Sequence, residues 1–343
     1  MTSRFRVVIA TVLTIVLLGG ATVYGIVAFS GYQSKQDAPS QVDTATAAAA
    51  AAAAVDRASR IVFRNTASGA GYGLESSVPL ADPGGTRAVG TVACDRVYST
   101  AKFSMCLRID RGALTTFSAT LYDSKWQAKK AWALPGIPSR TRISADSKLV
   151  AFTSFVTGES YGNVGFATAT QISTTDGPDY GNLEAFALMI DGQRNTAADR
   201  NFWGVTFSTD DNVFYATAAT GGHTWLVKGN LAARTLTTVT QAAECPSISP
   251  DGTRIAYKKN VSTSATGYWS IAVLDLATGV EKLLPEKRSV DDQVDWLDDS
   301  TVLYGMPRTD SPGDSDIWSI ASNESAAGTR FIQHAWSPSV VRR

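Results

Sequence analysis

The strongest constraint on this chain is a strand-turn-strand unit that recurs along it. Its clearest copy is Cys245-Pro246-Ser247-Ile248-Ser249-Pro250-Asp251-Gly252-Thr253-Arg254-Ile255-Ala256-Tyr257. Two apolar-alternating runs flank a Pro-Asp-Gly turn whose glycine tolerates positive φ, the pattern of an antiparallel pair. The copy continues through Trp269 to Leu276, the turn Ala277-Thr278-Gly279 and Glu281 to Leu284. Four short antiparallel strands in about 45 residues make one propeller blade. Degenerate copies start at Arg142, Val205 and Val294, and a further four-strand set runs from Cys94 to Leu134.

The remaining unit is divided between the chain ends. Arg60 to Arg64 matches a second strand and Val78 to Gly84 the next hairpin, so the N-terminal part lacks a first strand; Ala335 to Val341 supplies it and matches Ala243 to Ser249. Closure of a ring by one C-terminal strand removes the free sheet edges between blades. The expected fold is all-β: a six-bladed propeller of four-stranded antiparallel blades over residues 58–343, preceded by one transmembrane helix.

The Ser-Pro-Asp-Gly-Thr-Arg-Ile-Ala-Tyr segment resembles the repeat of TolB-type six-bladed propellers. The order of motifs, with Asn201-Phe202-Trp203-Gly204-Val205-Thr206-Phe207 and Ser289-Val290-Asp291-Asp292-Gln293-Val294-Asp295-Trp296, is similar to actinobacterial membrane-anchored proteins called TolB-like. The resemblance spans the whole region after the apolar segment. It implies the fold, and functions as diverse as translocation, peptide capture and hydrolysis, because such propellers host many sites.

Val7 to Phe29 is 23 residues without a charge, enough helix to cross a hydrocarbon core of about 30 Å. Arg4 and Arg6 precede it, which puts residues 1–6 in the cytoplasm and the propeller outside, as a single-pass cell-membrane protein. A cleaved signal peptide is the alternative, with Ala28-Phe29-Ser30 as a tolerable cleavage site. Residues 30–57, with the alanine tract Ala47 to Ala54, read as a stalk with little to bury. Lys plus Arg equals Asp plus Glu at 31 each, so no basic surplus points to nucleic acid.

Three cysteines in an exported domain suggest one disulfide and one thiol. Cys94 opens the first strand of its blade and Cys106 lies in the second, so these two are expected to pair, whereas Cys245 stands three blades away; three reduced, buried cysteines are the alternative.

The chemical motifs are weak. Gly158-Glu159-Ser160-Tyr161-Gly162 matches a nucleophile elbow but sits between strand-like runs with no helix behind it. His223 and His334 stand alone, without zinc spacing. Asp291, Asp292, Asp295, Asp298 and Asp299 could serve a hard cation, although alternation sets Asp292 on the opposite side from Asp291 and Asp295, with Asp298 and Asp299 in a turn. No cofactor pattern is present. Innermost strands line a propeller's channel, which sets Arg96, Arg142, Asn201, Trp203, Ser247, Asp291, Gln293 and Ser339 at the expected binding mouth. The expected function is non-enzymatic binding of a protein or peptide partner at the cell envelope. The rival is a hydrolase-like propeller enzyme with an acidic, metal-dependent site at the same mouth.

Overall fold

The computed structural model describes residues 29–45, 59–112, 114–156, 167–262, 267–323 and 325–342, with isolated positions 12, 19, 23, 26 and 27. Six sheets follow one another around a ring. Blade 2 is Arg96–Ser99, Phe103–Arg111, Thr115–Asp123 and Ala128–Ala133. Blade 3 is Gly136–Ile143, Leu149–Val156, Ala167–Thr174 and Asp179–Asn182. Blade 4 is Asn201–Phe207, Val213–Thr220, His223–Asn230 and Thr235–Gln241. Blade 5 is Ala243–Ile248, Arg254–Asn260, Trp269–Asp275 and Glu281–Leu283, and blade 6 is Asp295–Trp296, Thr301–Pro307, Ser315–Ala321 and Thr329–Ile332.

Blade 1 joins the chain ends. Ala335–Val341 pairs antiparallel with Arg60–Asn65, which continues through Leu74–Pro79 to Ala88–Ala93. The division of this blade expected from the repeat is therefore observed, and the ring is closed by backbone hydrogen bonds.

One feature of blade 4 has no counterpart in the repeat. The hairpin Ala187–Ile190 and Gln193–Asn195 extends its outer edge through a parallel pairing with Thr235–Gln241. A parallel pair needs a long connection, and here the chain lays the edge strand down before it builds the blade, so no local turn signal announces it.

The inner strands carry a shared irregularity. Pairing shifts between Trp203 and Thr206, between Glu244 and Ser247, and between Val62 and Arg64 opposite the closing strand. Gly204, Cys245 and Ser337 sit at these bulges with φ of 65°, 51° and 58°. A bulge twists the strand and re-aims its side chains, which suits strands that converge on an axis. Glycine is required at 204: a Cβ there would lie 2.7 Å from the Cys245 Cα of the next blade.

The anchor expected over 7–29 and the alanine tract lie largely outside the described residues. Among the described residues no helix is long and apolar enough to cross a membrane. The first part of the expected stalk does find partners. Residues 29–37 are helical, Tyr32 meets the Tyr72 ring at 5.5 Å, and Lys35 donates to Ser311 Oγ at 3.1 Å. Beyond them Ala45 N–H bonds the Arg87 carbonyl at 2.9 Å. Composition suggested little to bury here because the docking uses one tyrosine ring, a few polar side chains such as Lys35 and backbone groups.

Candidate functional site

Four cations line the central channel, each held in a different way. Arg96, at the start of its inner strand, puts Nη1 2.9 Å from Asp292 Oδ1 and its guanidinium 4.9 Å from the Trp336 ring centre. Arg140 approaches the same carboxylate at 3.9 Å, and its Nη1 donates to the Ser139 carbonyl. Arg142 donates to Asp295 Oδ1 at 2.8 Å and to the Val294 carbonyl at 3.0 Å, with its guanidinium 4.6 Å from the Tyr98 ring. Lys258 bonds Asp291 and lies 3.3 Å from Glu244 Oε2, while its ammonium faces Trp269 at 4.6 Å.

Burial sets the electrostatics. It pulls Arg96 down to about 10, aided by repulsion from Arg140 and opposed by Asp292. Burial also pushes Asp295 above the ordinary carboxylate range, against the pull of Arg142 and Arg342. At Asp291 burial acts in the same direction but is outweighed by Lys258, with Arg140 and Arg96 behind it, so this carboxyl is lowered. Ion pairs in such surroundings fix geometry more than they add stability.

The alternation expected for the acidic run does not hold. Residues 289–294 are not regular strand, so Asp291 and Asp292 both reach channel cations, each a different one. Asp298 caps its own turn by accepting from Ser300 N–H at 2.7 Å, and Asp299 accepts from Asp251 N–H across the blade boundary. Among the described residues no group of three or more His, Cys, Asp or Glu side chains is placed to hold a metal ion. The Gly158 to Gly162 motif lies outside the described residues. His334 occupies the link between Thr329–Ile332 and the closing strand, buried, with Nδ1 2.7 Å from Asp314 Oδ2.

Two cavities flank the channel on opposite faces. One, of about 180 Å³, opens where the inner strand of blade 4 begins and is lined by Asn201, Trp203, Asp199, His223, Glu244 and Trp269, among others. The other, of about 310 Å³, lies at the far ends of the inner strands and takes in Tyr98, Arg142, Ser247, Asp295 and Arg342.

The eight side chains expected at one mouth are thus distributed. Asn201 and Trp203 line the first cavity, and Arg142 and Ser247 line the second. Arg96 and Asp291 belong to the ion pairs between. Asn201 Oδ1 also accepts from Thr168 N–H at 2.9 Å, tying blade 3 to blade 4. Gln293 donates to the carbonyls of Val205 and Pro246, and Ser339 donates to the Val62 carbonyl and accepts from Ser99 N–H, so these two join blades. Sequence reasoning missed Arg140, Lys258, Glu244 and Trp269. Arg140 was available from its spacing of two from Arg142; Lys258 and Trp269 belong to second and third strands, which a search confined to inner strands passes over.

Cys94 and Cys106 are joined by a disulfide with 5.4 Å between Cα atoms, and Cys245 is a buried free thiol. Cys94 stands two residues ahead of its strand, not within it.

No family model matches the chain. None of the curated proteins matches it either. Solved structures do match. TolB from Acinetobacter baumannii superposes with a TM-score of 0.55 at 14% identity, over 84% of this chain and 68% of that one. The fold is similar to TolB's. A chain of a nidogen/laminin complex gives 0.52 at 10% identity over 82% of this chain and 98% of that one. A puromycin-hydrolysing peptidase of Mycobacterium tuberculosis reaches 0.45 at 10% identity, over 80% of this chain and 43% of that one, too loose a likeness to carry an argument. At such identities the likeness is one of fold, and function has to be argued from the site.

Proposed function

We propose that this chain is a membrane-anchored, extracytoplasmic TolB-like propeller that binds a peptide or protein partner at the cell envelope and carries out no chemistry of its own. The observation that carries the reading is the cavity of about 180 Å³ with Trp203 and Trp269 on its walls and Asn201, Asp199 and Glu244 around them. Rigid aromatic faces beside a few polar groups bind side chains at low entropic cost. The uncharged stretch from Val7 to Phe29 supports the address.

The rival enzyme would need the carboxylates of 291–299 to converge. Asp291, Asp292 and Asp295 instead neutralise Lys258, Arg96 and Arg142 respectively, an arrangement suited to holding a channel in shape. The test is a peptide array probed with the full chain in detergent. Trp203→Ala and Trp269→Ala should each weaken the retained peptides by at least about tenfold. Peptides that bind both variants as tightly as wild type would end this reading, and hydrolysis abolished by Asp292→Asn would install the rival.

A further inference from the structure

Beneath the helix at 29–37 lies a separate cavity of about 160 Å³, lined by Phe29, Tyr32, Arg64, Asp95, Arg108 and Arg111. Three guanidiniums face it against one carboxylate. Asp95 is already engaged, accepting from Ile109 N–H at 2.7 Å and from Arg111 at 3.2 Å. Arg108 pairs at 2.7 Å with Asp110 on the surface, where both side chains are nearly half exposed, so that pair exchanges readily for a stronger anion. Arg64 has an aromatic face as its partner, with the Tyr72 ring centre at 5.2 Å, and Arg111 stands likewise 5.6 Å from Tyr32. The wall thus offers three planar donor forks whose positive charge exceeds that of Asp95, the carboxylate among the lining residues.

The position of Phe29 indicates the source of the anion. It is the last residue of the uncharged stretch and is 46% exposed, and Tyr32, one helical turn further on, lies under the arginines. On the anchored reading, the 23 uncharged residues that end at Phe29 suffice for a hydrocarbon core of about 30 Å, which would set Phe29 at the boundary between acyl chains and headgroups. An arginine fork matches phosphate oxygens bidentately, and basic groups beside a membrane span attract anionic lipids.

We propose that this cavity holds the phosphate of an anionic phospholipid headgroup from the leaflet out of which the chain emerges, which would fix the propeller's orientation on the membrane. The proposal rests on the anchored reading above. The apolar edge at Phe29 meets the glycerol side of the lipid, and Arg64, Arg108 and Arg111 meet its phosphate.

The experiment uses the full chain, extracted in detergent and reconstituted into nanodiscs of phosphatidylcholine with a minor fraction of phosphatidylglycerol. Lipids retained after re-extraction are read by native mass spectrometry, and inorganic phosphate is titrated separately by calorimetry. Phosphatidylglycerol should be retained in preference, and Arg64→Gln or Arg108→Gln should reduce that preference about tenfold, the worth of one charge-assisted hydrogen bond. Arg64→Lys keeps the charge and the contact with Tyr72, and should give an intermediate loss with an unchanged melting curve. Equal retention of both lipids, or a preference untouched by Arg64→Gln, overturns the proposal. Binding of inorganic phosphate with no lipid preference overturns the lipid assignment. Recovery of a soluble chain beginning at Gly31 overturns the anchored premise, and with it the lipid; the phosphate titration then still reports on the cavity, so the two failures are distinguishable.

Discussion

Two seams of the ring solve the same packing problem with different chemistry. Between blades 3 and 4, sixteen buried apolar residues form one cluster, including Phe186, Phe202, Phe214 and Leu236, and the buried polar links across it are neutral, as where Thr168 Oγ1 donates to the Phe202 carbonyl at 2.7 Å; its charged links, Lys148 to Asp211 and Arg234 to the Tyr180 carbonyl, lie at the exposed rim. Between blades 6 and 1, where the ring closes, the corresponding cluster has eight members. A buried charged network accompanies it. Asp314 accepts from Thr66 Oγ1 at 2.7 Å and pairs with His334, Arg308 donates to Asp316 Oδ1 at 2.7 Å, and Arg87 donates to the His334 and Gln333 carbonyls. A seam made by strands adjacent in sequence forms cheaply from apolar contact. A seam that must bring both chain ends together gains register from groups whose mispairing would strand a buried charge.

That contrast can be broken from either side. The largest effect is expected for Asp314→Ala, which leaves Thr66 and His334 without their shared acceptor and removes a carboxylate 3.6 Å from Arg308: a loss of about 3–5 kcal/mol, measured by chemical unfolding. It should also change the pH dependence. Hydrogen bonds from His334 and Thr66 outweigh burial and hold the Asp314 carboxyl below its ordinary value. A depressed acid stabilises the fold above its unfolded pKa, and this share is lost as pH falls through the folded value, so wild type should weaken on acidification by more than the variant does. Leu236→Ala on the apolar side should cost about 2–5 kcal/mol, with a loss independent of pH and salt. A pH-dependent loss at Leu236 would show that the two seams do not differ as described.

Smaller effects sharpen the comparison within blade 1 and its neighbour. The disulfide spans a sequence separation of 12, and replacing both cysteines by serine should cost roughly 3 kcal/mol without opening the ring. Non-reducing peptide mapping checks the bond itself, and a Cys245 link would contradict the blade register.

Glu75 is the last case and has the opposite sign to Asp314. Its carboxylate fills a register shift in blade 1 and accepts the N–H groups of Thr91 and Val92 at 3.1 and 2.6 Å. Burial outweighs those bonds and pushes it up to about 7. A raised acid favours the fold below its unfolded pKa, near 4.5, and this advantage is lost as pH rises toward 7, an effect of roughly 3 kcal/mol. Glu75→Gln should flatten that part of the stability profile. An unchanged profile would mean that Glu75 is ionised at no cost in the folded state.

The repeat unit determined the blade count, the four-stranded antiparallel blades and the division of blade 1 between residues 60–93 and 335–341, because strands and turns are written in local periodicity and in Asp-Gly chemistry. The same alignment set Cys94 beside Cys106 and Cys245 apart from both. Tertiary structure alone decided which carboxylate meets which cation. Asp291, Asp292 and Asp295 sit within five residues yet serve Lys258, Arg96 and Arg142 of three different blades. It also decided that Gln293 and Ser339 bind backbone carbonyls, that an edge hairpin joins blade 4 from ahead of it, and that Tyr32 lines one cavity with Arg64, Arg108 and Arg111. Periodicity records which face of a strand is buried. It carries no information on which residues from other blades complete that face, since those contacts arise only when the ring closes and sequence-distant side chains are brought within a few ångströms.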